Sequence, residues 1–129
     1  MTTNQCVLFL EDSDLDFELA AAAIQKTRPA LQVGRVKQCS EMPPRPCEVS
    51  QLVVLDIHLP DGSGLDLIPQ LLKECGGPSF TLVVFSTSTS PSDRVQALEL
   101  GARSFYVKPQ EPDQFVLLVQ TMVESYLPE

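Results

Sequence analysis

Acidic side chains follow two apolar runs of the sequence, at the point where each run ends. Glu11 and Asp12 come directly after CVLFL, and Asp56 comes directly after LVVL. Short apolar runs of this kind are typical of buried parallel strands, whose carboxyl ends meet at one edge of a sheet. The spacing therefore predicts that these three carboxylates converge.

Carboxylates packed in a partly dry crevice repel one another, which destabilises the fold unless a cation compensates. All-oxygen ligands with few imidazoles or thiolates nearby favour Mg²⁺, with Mn²⁺ as an alternative ion. Glu11, Asp12 and Asp56 are therefore predicted metal ligands. The competing interpretation is an acidic loop with solvated charges, and Asp56 on a second strand weakens it.

A hydroxyl and an ammonium group are predicted at the same edge. Ser86 ends the run FTLVVF, and Lys108 follows the run SFYV. Phosphoryl transfer is catalysed mainly by positioning and by neutralising charge on the peripheral oxygens, which a metal, a hydroxyl and a lysine achieve together. Asp56 would be the nucleophile and would form an acyl phosphate. Taken singly, a strand-end serine usually satisfies a turn, and a lysine usually reaches solvent.

Strand-like runs alternate with helix-like segments along the chain. This rhythm predicts one α/β domain with a parallel sheet covered on both faces. The predicted strands are Cys6–Leu10, Leu31–Val36, Gln51–Asp56, Phe80–Ser86 and Ser104–Val107. Two core-facing helical stripes are predicted, one with Leu15, Leu19, Ala22 and Ala23, and one with Phe115, Leu118, Val119, Met122 and Tyr126.

Start and stop signals place a further helix late in the chain. Ser90 is the predicted N-cap, Pro91 the first helical residue, and Asp93 the acidic member of a capping box. Gly101 is the predicted C-cap.

Prolines interrupt two other segments. Gly64–Cys75 carries an apolar stripe, and Pro69 should bend or delay its helix. Ser40–Pro46 contains three prolines in seven residues, so we expect a short or irregular element there.

Composition excludes several classes of function. Seventeen acidic residues against nine Lys plus Arg give a charge of -8, which disfavours binding to nucleic acid. No apolar run reaches the roughly 18 residues of a membrane helix, so we expect a cytoplasmic protein without a membrane contact. Its four cysteines contain no CxxC pair, and reduced thiols are predicted.

These residues resemble the receiver domain of the bacterial two-component response-regulator family, over nearly the whole chain. Leu8-Phe9-Leu10-Glu11-Asp12 is similar to the first-strand acidic pair, and Val54–Gly64 to the phosphoacceptor strand and its loop. Ser86 matches the hydroxyl position, Gly101-Ala102 the end of the fourth helix, and Lys108-Pro109 the basic corner.

The resemblance implies a flavodoxin-like, doubly wound five-stranded sheet of order 2-1-3-4-5, and phosphorylation of Asp56 by a sensor histidine kinase or a phosphotransfer protein. It also implies Mg²⁺ bound by Asp12, Asp56 and the backbone carbonyl of His58, with Glu11 acting through a metal-bound water. Thr87 would offer a backbone amide to the phosphate. The family more often has a smaller residue there, so the pocket should be tighter.

Family members couple phosphorylation to movement of the hydroxyl residue and of an aromatic residue three positions before the lysine. That residue is Phe105 here, and Tyr106 follows it. The competing interpretation of Phe105 is an ordinary strand aromatic packed under the last helix. His58 and Ser88 occupy the positions that resemble the family's tuning sites for phosphate lifetime.

No output domain is visible in the sequence, so the chain resembles family members that act alone by docking to a downstream protein. The stretch Ser86–Pro109 is also similar to regulators that partner phytochrome-type kinases. The family's fourth helix, fifth strand and fifth helix would form the partner surface, which would also suit a homodimer. Such a module is phosphorylated stoichiometrically and is not a turnover enzyme.

The sequence supports three other functions less well. Aspartate-based phosphatases usually carry a second acid two residues after the nucleophile, and His58 stands there. A flavodoxin-like nucleotide binder would need a glycine-rich loop after the first strand, and none is present. A degenerate receiver that docks constitutively is the third, although every expected functional side chain is present.

Overall fold

A five-stranded parallel sheet carries the acidic residues at one edge. The computed structural model describes residues 5–43, 51–75 and 80–128. In chain order, the elements are β1 (Cys6–Leu10), α1 (Asp14–Thr27), β2 (Gln32–Val36), a 3₁₀ turn (Cys39–Glu41), β3 (Leu52–Leu55), β4 (His58–Leu59), β5 (Gly62–Ser63), a 3₁₀ turn (Gly64–Leu67), α2 (Ile68–Cys75), β6 (Thr81–Ser86), α3 (Pro91–Leu100), β7 (Ser104–Val107) and α4 (Pro112–Tyr126).

The strand order is β2-β1-β3-β6-β7, and neighbouring strands are parallel. This order confirms the predicted 2-1-3-4-5 arrangement, since β4 and β5 form a separate two-stranded hairpin. Leu10 pairs with Leu55, Leu55 with Val84, and Ser86 with Val107. The register therefore aligns the carboxyl ends of β1, β3, β6 and β7 at one edge.

Alternate side chains of each strand pack into two apolar layers, one on each face of the sheet. Val7 and Phe9 of β1 pack with α1 and α4, whereas Leu8 and Leu10 pack on the opposite face with α2 and α3. All four residues of β3 are buried, because helices cover both faces of the central strand. This burial holds the strand ends rigidly where the acidic side chains begin.

The predicted stripe of the last helix packs against the core, whereas that of the first helix does so only at Leu19 and Ala23. α4 buries Phe115, Val119 and Met122, as expected. In α1, Leu15 is 73% exposed and Ala22 is also exposed, so the predicted stripe is wrong at these positions. The buried residues are Ala20, Ala23 and Ile24. An alanine-rich helix contains several overlapping apolar stripes, and tertiary packing selects among them.

The end signals of α3 are confirmed in part. The Ser90 hydroxyl accepts a hydrogen bond from the Asp93 amide, Pro91 is the first helical residue, and Gly101 ends the helix with φ 115°. The other half of the predicted capping box is wrong: the Asp93 carboxylate accepts from the Ser88 hydroxyl at 2.6 Å, and the Ser90 amide donates to that same hydroxyl at 3.2 Å. Within residues 5–43, 51–75 and 80–128, none of the helices has the length and hydrophobicity that a membrane span requires.

Proline affects the two interrupted segments as predicted. The segment from Gly64 begins as a 3₁₀ turn and becomes α-helical only at Ile68, one residue before Pro69. A 3₁₀ turn at Cys39–Glu41 is the irregular element expected there. Residues 44–46 of the predicted proline-rich element lie outside the described residues.

Cysteine chemistry differs from the sequence prediction. Cys75, buried at the end of α2, is disulfide-bonded. The prediction of reduced thiols is therefore wrong at this position, because pairing depends on which thiols the fold brings together and not on local spacing.

Candidate functional site

Backbone hydrogen bonds extend the sheet just past the ends of β1 and β3. The Asp56 amide donates to the Leu10 carbonyl at 3.1 Å, and the Glu11 amide donates to the Val36 carbonyl at 3.0 Å. Carboxylate oxygens of Glu11, Asp12 and Asp56 lie within 4.8 Å of one another. The structure therefore brings together the three predicted carboxylates, with Glu11 and Asp56 buried and Asp12 exposed.

Lys108 lies at the centre of this cluster. Its ammonium donates to Glu11 at 2.6 Å, to Asp56 at 3.0 Å and to Asp16 at 2.9 Å. The Lys108 amide also donates to the Ser86 carbonyl at 2.7 Å, which fixes the lysine against the end of β6. Since an ammonium has three N–H donors, each is used by a carboxylate. Asp16 in the first turn of α1 was not among the site residues predicted from the sequence, although it lies four residues after Asp12.

Charge and burial shift two pKa values in this cluster. Burial raises the pKa of Glu11 from 4.5 to about 6, although the hydrogen bond from Lys108 opposes the shift. Burial alone would lower the pKa of Lys108, but the hydrogen bond to Glu11 and the charge of Asp56 outweigh it and raise the pKa. Lys108 therefore stays protonated at neutral pH, whereas Glu11 changes its protonation state near pH 6.

The Asp56 carboxylate is held from two sides. One oxygen accepts from the His58 amide at 3.3 Å, and the other accepts from Lys108. Gly64 packs directly against the Asp56 backbone, where a Cβ atom would collide with the carbonyl oxygen. The Gly64 amide donates to the Ile57 carbonyl at 2.8 Å. The loop after β5 thus approaches the backbone of the predicted nucleophile, and the carbonyl of His58 stays a predicted metal ligand.

The hydroxyl position lies at the same edge. Ser86 is fully buried at the end of β6, and its hydroxyl accepts from the Ser88 amide at 3.2 Å. Thr87, the next residue, is exposed. The roles of Ser86 and Thr87 toward a phosphoryl group stay predictions.

The two aromatic residues before Lys108 face opposite sides of the sheet. Phe105 is buried in the layer that contains α2 and α3, so the interpretation that placed it under the last helix is wrong. Tyr106 packs in the other layer, where its hydroxyl bonds to that of Tyr126 at 2.7 Å. Because successive side chains of a strand alternate, only one of the two can face each layer. Their switch role stays a prediction.

Arg35 on β2 is a site residue that sequence reasoning missed. It donates to the Glu11 carbonyl at 2.8 Å and to the Asp14 carboxylate at 2.7 Å. Its guanidinium lies 5.0 Å from the centre of the Phe17 ring. These contacts fix the loop between β1 and α1 on the edge strand, and a lone arginine near the end of a predicted strand was the available signal.

Because the pKa of Glu11 is raised, the stabilisation of the fold by a bound metal ion should depend on pH. Because the pKa is higher in the folded protein, the contribution of neutral Glu11 to stability is present below about pH 4.5. It is lost as the pH rises through about 6, and amounts to at most about 2 kcal/mol. A bound cation stabilises the ionised form and offsets this loss.

We therefore expect the gain in unfolding free energy from Mg²⁺, relative to EDTA, to be larger at about pH 7.5 than at about pH 5. Urea titrations at both pH values measure the gain. Glu11→Gln should reduce this pH dependence, since its side chain does not ionise. An equal Mg²⁺ gain at both pH values in the native sequence would contradict the assignment.

A doubly wound parallel sheet with clustered carboxylates beside a buried lysine defines a class of α/β domain whose site lies at the carboxyl edge, where the strand order reverses. Within this class, the family model of the response regulator receiver domain matches residues 7–120. The chain belongs to this family, the phosphoacceptor domains of two-component systems, which interact with histidine kinases and downstream targets.

Curated relatives support this assignment. The chain is 31% identical over 109 residues to the transcriptional regulatory protein KdpE of Mycobacterium tuberculosis, covering 84% of the chain and 44% of that protein. It is 39% identical over 72 residues to UhpA of Salmonella typhimurium, covering 56% and 34%. The chain therefore spans less than half the length of these relatives, and the expectation that it acts without an output domain stays a prediction.

Solved structures agree with the fold. The phosphorylated cyanobacterial phytochrome response regulator RcpA has a TM-score of 0.80 and 18% identity, covering 97% of this chain and 95% of that one. The Mn²⁺-bound form of response regulator Rcp1 has the same TM-score and coverages and 21% identity. A receiver domain from Rhodospirillum rubrum has a TM-score of 0.81 and 18% identity, with coverages of 91% and 89%.

Proposed function

We propose that this domain accepts a phosphoryl group on Asp56, in a reaction that depends on Mg²⁺, and that phosphorylation changes its affinity for a protein partner. The observation that carries the proposal is the convergence of the Glu11, Asp12 and Asp56 oxygens within 4.8 Å. Lys108 adds an ammonium that already contacts two of these groups. Nucleophile and charge-neutralising groups are thus assembled before a phosphodonor arrives.

In the proposed reaction, an Asp56 carboxylate oxygen forms a bond to phosphorus while the P–N bond of a phosphohistidine breaks. The electron pair stays on the imidazole nitrogen, which takes a proton from solvent. Lys108, the Ser86 hydroxyl and the Thr87 amide would donate to the phosphoryl oxygens. Positioning and charge neutralisation supply most of the catalysis in reactions of this type.

The residues present fit a hard divalent cation. Their donors are carboxylate oxygens of Glu11, Asp12 and Asp56, with no imidazole or thiolate in the cluster. The His58 carbonyl would add a further oxygen, and Glu11 would act mainly through a metal-bound water. When bound, Mg²⁺ or Mn²⁺ would neutralise charge on the phosphoryl oxygens.

A partner surface lies beside the site. Val95 and Leu98 of α3 and Val107 of β7 are exposed apolar side chains, at 52%, 39% and 43%. With α4, these elements would bind a downstream protein or a second copy of the chain. An allosteric coupling of about 1–3 kcal/mol would change affinity several-fold.

The phosphodonor we propose is a sensor histidine kinase or a phosphotransfer protein in the cytoplasm; a phytochrome-type kinase is the narrower candidate suggested by Ser86–Pro109. The disulfide bond at Cys75 is unusual for that compartment.

We propose that phosphorylation is stoichiometric and not enzymatic turnover, because His58 replaces the second acid of aspartate-based phosphatases.

Intact-mass spectrometry after treatment with acetyl phosphate tests the proposal directly. In Mg²⁺, we expect one added phosphoryl group per chain, and in EDTA none. Mn²⁺ should restore the adduct, since it accepts the same oxygen ligands. An unmodified mass in Mg²⁺, or equal labelling in EDTA, would overturn the proposal.

A further inference from the structure

Asp16 departs from the role that its position in α1 predicts. Ser13 is the N-cap, and its hydroxyl accepts from the Asp16 amide at 3.2 Å. In a capping box, the side chain three residues after a serine N-cap returns a hydrogen bond to the serine amide. Here the Ser13 amide donates instead to Glu11 at 3.2 Å, and the Asp16 carboxylate accepts from Lys108 at 2.9 Å. Asp16 is thus directed toward the site and away from its own helix end.

The three acceptors of the Lys108 ammonium differ in exposure. The side chains of Glu11 and Asp56 are 5% and 9% exposed, whereas that of Asp16 is 29% exposed. A carboxylate that water reaches loses least when its ion pair breaks, because solvent replaces the lost hydrogen bond. Of the three bonds, the one to Asp16 is therefore the easiest to exchange for another anion.

We propose that Asp16 restrains the Lys108 ammonium and competes for it with a phosphoryl group on Asp56. This inference rests on the proposed function. With all three donors engaged, a phosphoryl oxygen gains a lysine hydrogen bond only when one carboxylate releases it. Asp16 also adds negative charge beside an incoming anion, so both effects weaken phosphoryl binding. Asp16 is thus a positioning residue that limits the stability of the phosphorylated state.

The test compares two acids of α1. Asp16→Asn removes the charge that contacts Lys108 and keeps the side-chain shape. Glu18→Gln is the matched control, because Glu18 is exposed on the same helix two residues later. Both substitutions remove one acid from the N-terminal half of the helix, so each should cost similar helix stability.

The probe is beryllium fluoride, a tetrahedral phosphoryl mimic, titrated in saturating Mg²⁺ and followed by amide NMR resonances. Asp16→Asn should lower the beryllium fluoride concentration for half-saturation by about three- to tenfold, whereas Glu18→Gln should stay close to the native sequence. The Lys108 ¹⁵Nζ resonance in the absence of beryllium fluoride should shift in Asp16→Asn only. Circular dichroism checks the fold, and Asp16→Ser serves if Asp16→Asn is unfolded.

An unchanged half-saturation in the Asp16 variant, or equal tightening in both variants, would overturn the inference. An unchanged Lys108 ¹⁵Nζ resonance in the Asp16 variant would overturn it as well. Failure of the proposed function is a separate outcome, since the native sequence would then bind no beryllium fluoride in Mg²⁺.

Discussion

Asp56→Asn is expected to abolish the acetyl phosphate adduct, with no added mass in Mg²⁺. The amide keeps the shape of the side chain and one oxygen that can accept from Lys108, so the fold should persist although the bond from the His58 amide is lost. It lacks the anionic oxygen that attacks phosphorus. Intact-mass spectrometry with matched native protein measures the loss.

Asp66→Asn is the control for this prediction, since it removes an exposed carboxylate from the neighbouring 3₁₀ turn. That variant should label like the native sequence. A phosphoryl group that persists on the Asp56 variant, located at another residue by peptide fragmentation, would refute the assignment of the nucleophile.

Lys108→Ala should destabilise the metal-free protein by about 3–5 kcal/mol, because it leaves buried carboxylates without their cation. The Lys108 side chain is 5% exposed and contacts Glu11, Asp16 and Asp56. Mg²⁺ should recover part of the loss, since it neutralises the same oxygens. Urea unfolding in EDTA and in Mg²⁺ measures both free energies.

Lys73→Ala provides the comparison, since Lys73 is exposed on α2 and should change stability by less than about 0.5 kcal/mol. If Lys108→Ala unfolds at the same urea concentration as the native protein in EDTA, the ammonium does not stabilise the buried carboxylates.

Lys108→Ala should also retain Mg²⁺ binding while losing the response of partner affinity to phosphorylation.

Local pattern predicted the sheet and much of the site. The predicted strands match the observed ones within one residue at each end, because every central strand is apolar and ends at a polar residue. Parallel strands share one carboxyl edge, so Glu11, Asp56 and Lys108 were aligned by their positions after successive strands. Resemblance to the family added the strand order.

Pairings between distant segments were not predictable from spacing. Asp16 bonds to a lysine 92 residues away in the sequence. Arg35 reaches Glu11 from the edge strand, and Asp93 bonds to Ser88 outside its own helix. The disulfide bond at Cys75 belongs to the same group, because each of these contacts depends on the folded arrangement.

The close approach of Gly64 to the Asp56 carbonyl limits how the β4–β5 hairpin and the residues after it can be engineered. A redesign that grafts a new recognition sequence between β4 and β5 can vary exposed Pro60 without touching the nucleophile's main chain, whereas Asp61 accepts from the Cys39 and Ser40 amides. Any side chain at position 64 would push on the Asp56 main chain directly. Steric clearance therefore confines new side chains to the positions before this glycine.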